Sequence, residues 1–114
     1  MSDAKALLVL VTAATEKEAV AIAQALVERE EAACVNIVAM VRSIYRWKDR
    51  VWNETEQLLV IKTTAPALED VKRTVKELHS YELPDILALP VTDGDAKALA
   101  WIHTSVKASR DSAS

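Results

Sequence analysis

The sequence of 114 residues contains no phenylalanine, one glycine, one cysteine and three prolines. A single cysteine excludes an internal disulfide, and with it the disulfide-stapled build of small secreted domains. A single glycine excludes the glycine-rich phosphate cradles of the Walker and Rossmann kinds. It also leaves few places for left-handed backbone, so Gly94 is expected to mark one of them. Neither sign of charge dominates. Fourteen basic and 17 acidic residues leave a net charge of −3, which offers no electrostatic case for nucleic acid or an anionic membrane. Long apolar runs are missing too. Residues 6–11 (ALLVLV) fall short of the ~20 needed to cross a bilayer and of the ~7–15 in a signal-peptide core. The expected compartment is therefore the cytoplasm.

What is present is a globular balance, with 51% apolar and 27% charged residues. A mass of 12.5 kDa corresponds to one domain over residues 1–114, with 109–114 a polar tail expected to be mobile. Residues 6–12 (ALLVLVT) read as a central strand buried on both faces. Thr15 and Glu18 are spaced as a capping box. Ala19, Ile22, Ala23, Leu26 and Val27 follow at helical spacing, and this helix is expected to end near 30–32. In residues 33–48, Val35, Ile37, Ala39, Val41, Tyr45 and Trp47 share one parity, the mark of a strand. Lys48, Asp49 and Arg50 form a polar turn into a second long strand, 51–63. Thr64 is placed to cap a second helix, with Pro66 in its first turn and Leu68, Val71, Val75 and Leu78 as its stripe. Residues 86–91 (ILALPV) form a fourth strand, which Pro90 confines to an edge or a bulge. Asp95 caps a short third helix with Leu99, Ile102 and Val106 inward. The order βαββαβ plus a helix predicts an α+β, ferredoxin-like sandwich.

The central hairpin is too long for such a sheet. Its strands run to about 40–50 Å at ~3.3 Å per residue, against about 20–26 Å for their neighbours. Residues 42–56 therefore lack partner strands, yet they carry Ile44, Tyr45, Trp47, Val51 and Trp52. A lone ribbon of this kind is marginal in water, and its edges invite pairing with another chain. An oligomer resolves the conflict. A flapping solvated arm does so only by leaving the aromatics bare.

Several segments then lie in a telling order: residues 32–37 (AACVNI), 43–48 (SIYRWK), 59–63 (LVIKT), 79–84 (HSYELP), 88–91 (ALPV) and 101–102 (WI). From about Leu7 to Val106 the chain closely resembles the CutA family of divalent-cation-tolerance proteins. The resemblance implies a PII-like homotrimer of ferredoxin-like subunits, tolerance to copper and other divalent cations, and no settled enzymatic activity. The chain departs from the family's usual pattern in three places. No cysteine follows the first strand, where residues 12–15 read TAAT. His-Pro-Tyr is His79-Ser80-Tyr81, and Asp49 stands where a hairpin-tip glycine is usual. The first departure removes one thiol from any copper ligand set.

Candidate metal ligands are Cys34 and His79, with His103 and Met40 as distant partners. Cys34 reads first as a small buried hydrophobe, although a thiolate also suits soft Cu(I). His79 closes the second helix, where the helix dipole favours a cation. An intersubunit cleft is expected from Tyr45, Trp47, Trp52, Glu54, Lys62 and Tyr81. Ser43, Ser80 and Ser105 lack any nucleophile-elbow context, and Arg46-Trp47-Lys48-Asp49-Arg50 is explained by a solvated hairpin tip. Three functional classes follow. The preferred one is a trimeric protein binding copper, another divalent cation or a small ligand. The others are a PII-like scaffold that docks a partner protein and an enzyme with an intersubunit site.

Overall fold

The architecture comes from a computed structural model that describes residues 5–107. The tail expected at 109–114 lies outside the described residues. In chain order the elements are β1 (Ala6–Ala13), α1 (Glu16–Glu28), β2 (Cys34–Trp47), β3 (Arg50–Thr64), a 3-10 turn (Ala65–Ala67), α2 (Leu68–Leu78), β4 (Ile86–Pro90) and α3 (Ala96–Ser105). One antiparallel sheet has the strand order β2-β3-β1-β4. The ferredoxin-like expectation holds, and Pro90 ends an edge strand where its missing N–H breaks no ladder.

Period-2 alternation places Val9 and Val11 of β1 beside Ile61 and Leu59 of β3. All four are buried against Ile22 and Leu26 of α1 and Val71 and Val75 of α2. Truncating Ile22, Leu26, Leu59 or Ile61 to alanine removes about 2–5 kcal/mol. Val27 of the expected α1 stripe stays exposed instead.

The helix ends show where residue type was read rightly and where it was not. Thr15 Oγ1 accepts the Glu18 N–H at 3.1 Å, as a cap should. The reciprocal half of the box does not form, because the Glu18 carboxylate reaches across to accept the Ser80 N–H at 3.3 Å. Helix α1 closes earlier than expected. Glu30 N–H donates to Val27 O and Glu31 N–H to Leu26 O, with Glu30 left-handed at φ 58°. That is a Schellman closure with glutamate in the usual glycine position. Thr64 makes no capping bond, since the 3-10 turn around Pro66 delays α2 to Leu68. Asp95 does cap α3, accepting from the N–H groups of Lys97 and Ala98.

Gly94 is not left-handed, contrary to expectation. Among the described residues the positive-φ positions are Glu30, Met40, Lys48 and Asp49. Lys48 and Asp49 form the two-residue hairpin loop between the paired Trp47 and Arg50. Positive φ at both loop positions is the type I′ geometry that matches the twist of the strands.

The hairpin departs from the alternation read off the sequence. Pairing runs Val38 to Leu58 and then Val41 to Glu56, so one extra residue bulges from β2. Met40, at φ 59°, sits in that bulge. The bulge inverts the alternation. Val35 and Ile37 face the helix side with Ile61 and Leu59, whereas Val41, Tyr45 and Trp47 face the other way with Glu56, Trp52 and Arg50. The single parity assigned to these six side chains was therefore wrong beyond Val38. Since Ala13 at the end of β1 pairs with Gln57, the ribbon from Val41 to Glu56 has no third strand among the described residues. The expected overhang is real.

Candidate functional site

Where the overhanging ribbon meets the segment between α2 and β4, a cleft of about 780 Å³ opens. Tyr45, Trp47 and Glu56 line it from the hairpin, and residues 81–86 line it from the other side. Both walls belong to one chain, so the cleft expected between subunits is already lined on two sides within it.

Tyr45 lies directly opposite Trp52, and the rings stack at 6.4 Å between centroids and 9° between planes. Cross-strand aromatic pairs of this kind contribute roughly 0.2–1 kcal/mol. Tyr45 Oη donates to Glu54 Oε2 at 3.1 Å, and Trp52 Nε1 donates to the Trp47 carbonyl at 3.0 Å. Partial desolvation and the Glu54 hydrogen bond both raise the Tyr45 pKa above its ordinary 10.0. Tyr81 Oη donates to Glu56 Oε2 at 2.5 Å, and Glu56 is only 4% exposed. Burial, then the Glu56 hydrogen bond, hold the Tyr81 phenol far above its usual range.

His79 fixes the loop that carries Tyr81. Its imidazole is fully buried. Nε2 lies 2.7 Å from the Thr12 carbonyl, which can only accept, so Nε2 carries the proton. Nδ1 accepts the Tyr81 N–H at 3.1 Å, so it carries none. Both ring nitrogens are thus engaged in a neutral tautomer, with Glu18 Oε1 3.5 Å from Nδ1. The Thr12 carbonyl and Glu18 had escaped notice. A backbone acceptor leaves no mark in residue type, and Glu18 had a local explanation as half of a capping box.

The structure does not bring Cys34 and His79 together in one chain. Cys34 pairs with Lys62, while Thr12, the partner of His79, pairs with Leu58. Four residues along β3 and two strand spacings separate them by roughly 15 Å. Cys34 Sγ points to Asn36 Oδ1 at 3.8 Å. Lys62 lies beside Cys34, well away from Glu54, so it stands outside the cleft that holds Tyr45, Trp47 and Tyr81. Among the described residues no three His, Cys, Asp or Glu side chains converge as a metal group. Cys34 and His79, a sulfur and a nitrogen donor of the kind copper favours, therefore do not share a site within one chain. Glu54 and Glu56 offer oxygen alone, which suits a harder cation.

A ferredoxin-like chain with an overhanging aromatic hairpin and a carboxylate-bearing cleft defines the class. The chain belongs to the family described as CutA1 divalent ion tolerance protein, whose model matches residues 7–105. It is 47% identical over 95 residues to the divalent-cation tolerance protein CutA of Thermus thermophilus, covering 83% of this chain and 92% of that one. The solved Thermus structure superposes with a TM-score of 0.87 at 44% identity, covering 90% of this chain and 99% of that one. The chloroplastic protein CutA of Arabidopsis thaliana is 37% identical over 101 residues, 89% of this chain but 56% of its own length. The structure of the periplasmic divalent cation tolerance protein CutA of Archaeoglobus fulgidus gives a TM-score of 0.86 at 34% identity, covering 90% and 99% of the two chains. Relatives are thus named for two different compartments, and family membership does not fix one.

Proposed function

We propose that this chain acts in divalent-cation tolerance as a homotrimer, with a divalent cation or a small ligand held in the hairpin cleft at a subunit boundary. The observation that carries the reading is the sheet face turned away from α1 and α2. Val38 on β2 and Leu87 and Leu89 on β4 lie on that face and stay 47%, 58% and 45% exposed, respectively. The same face continues into Tyr45, Trp47 and Trp52 of the overhang. An apolar face of this extent on a sheet with open edges is what a neighbouring copy covers.

Copper, if it binds, draws on ligands from more than one subunit or on Glu54 and Glu56 with water. That set predicts weak, oxygen-dominated binding. Light scattering should give about 37.5 kDa, three times 12.5 kDa. Anaerobic Cu²⁺ titration should show little difference between wild type, Cys34→Ala and His79→Ala. A stable monomer at micromolar concentration defeats the trimer, and nanomolar affinity lost in Cys34→Ala defeats the oxygen-donor reading. Ile44 and Val51, 66% and 57% exposed on the other face of the overhang, favour a PII-like docking scaffold as the second reading.

A further inference from the structure

The hairpin already holds cations of its own chain against its rings. Arg50 Cζ lies 4.0 Å from the Trp52 ring centroid. Lys48 Nζ lies 5.7 Å from the Trp47 ring centroid and 3.1 Å from Glu82 Oε1. An ammonium group therefore sits between an indole and a carboxylate at the rim of the cleft. Behind that rim the lining is mixed in a particular way. Tyr45, Trp47, Leu83 and Pro84 supply apolar and ring surface, and Glu56, Glu82 and Asp85 outnumber the guanidinium of Arg42, which is turned to Asn53 Oδ1 at 2.7 Å. A small hydrated metal ion finds only scattered oxygen donors in this lining, in line with the weak binding expected above, because tight binding needs several converging donors. A large, weakly hydrated organic cation gains from ring faces and carboxylates together.

We propose that the cleft is a seat for an organic ammonium ion bearing an apolar body, and that Lys48 occupies the Trp47–Glu82 rim of that seat when no ligand is bound. This deepens the cleft reading above and rests on it for the location of the site. Lys48 and Glu82 side chains are 64% and 72% exposed, so their ion pair is weak and readily displaced. Removing Lys48 should therefore open the seat, whereas removing Glu82 or Trp47 should damage it.

The probe is benzyltrimethylammonium, with benzyl alcohol as the neutral control, titrated by calorimetry into the full chain at fixed low salt. Saturable binding is expected at one site per subunit, with the alcohol weaker by roughly fivefold or more. Lys48→Ala should tighten the ammonium about threefold, and Glu82→Gln and Trp47→Leu should weaken it by at least as much. Arg46→Ala removes the same charge from the other face of the hairpin and should stay within about twofold of wild type. Equal affinity for the alcohol, or a Lys48→Ala effect matched by Arg46→Ala, overturns the seat. Glu82→Gln keeps the test decisive if Trp47→Leu does not fold, because Glu82 lies on the surface. Light scattering on the same samples separates the two readings. A monomer that binds the ammonium overturns only the trimer, and a trimer that binds none overturns only the seat.

Discussion

Tyr81 keeps its proton in the folded chain well beyond the pH at which a free phenol would lose it, because it is half-buried and bonded to the carboxylate of Glu56. In the unfolded chain the same phenol titrates near 10.0. Above that pH the unfolded state binds fewer protons than the folded one, so stability falls as pH rises. Urea midpoints should hold steady up to about pH 9 and then decline. In Tyr81→Phe the decline should be shallower, and an unchanged alkaline limb would show that the bond to Glu56 does not form in solution. Arg50 was expected to be a freely solvated tip residue. Its guanidinium covers the Trp52 ring instead, so Arg50→Ala should cost about 0.5–1 kcal/mol by chemical denaturation, more than a substitution on an uninvolved surface.

At the scale of elements, the chain uses left-handed backbone without glycine. Glu30 closes α1, and Lys48 with Asp49 closes the hairpin, all at positive φ. A non-glycine residue there costs on the order of 1 kcal/mol. Asp49→Gly should raise stability by about 0.5–1 kcal/mol, and Glu30→Gly by a similar amount, read as higher urea midpoints at unchanged m-value. A loss in either variant would mean that the side chain holds its turn through a contact stronger than the strain. This usage explains why Gly94 was misread, since the search for left-handed turns looked for glycine. The strands and helices themselves were open to inference, because burial on one face forces period 2 in β1 and period 3.6 in α1. The bulge was not. Ala39 and Met40 carry no turn signal, and one extra residue silently exchanged the faces of Val41, Tyr45 and Trp47. The cleft was half visible: its aromatics and acids stood out by type, whereas their contact with the segment from Tyr81 to Ile86 is a product of tertiary folding.

For the whole molecule the question is what covers the hairpin. Within one chain the ribbon partly covers itself, since Tyr45 stacks on Trp52 and Arg50 lies over the same ring. Trp47 faces the cleft beneath Lys48, and none of this makes a core for a ribbon without a third strand. If a second copy supplies that core, removing one large ring removes burial at every subunit boundary at once. Truncating a buried aromatic typically costs about 3–5 kcal/mol. Trp47→Ala should therefore lower the thermal midpoint sharply and make it rise with protein concentration, because dissociation becomes coupled to unfolding. Scanning calorimetry over a hundredfold range of concentration reads both effects. Wild type couples the two as well, and its larger unfolding enthalpy should make the concentration dependence shallower. If Trp47→Ala melts at the wild-type temperature while the particle still weighs three subunits, the ring is not buried by a neighbour. The aromatic face would then be free surface, and the docking-scaffold reading would take the place of the one proposed.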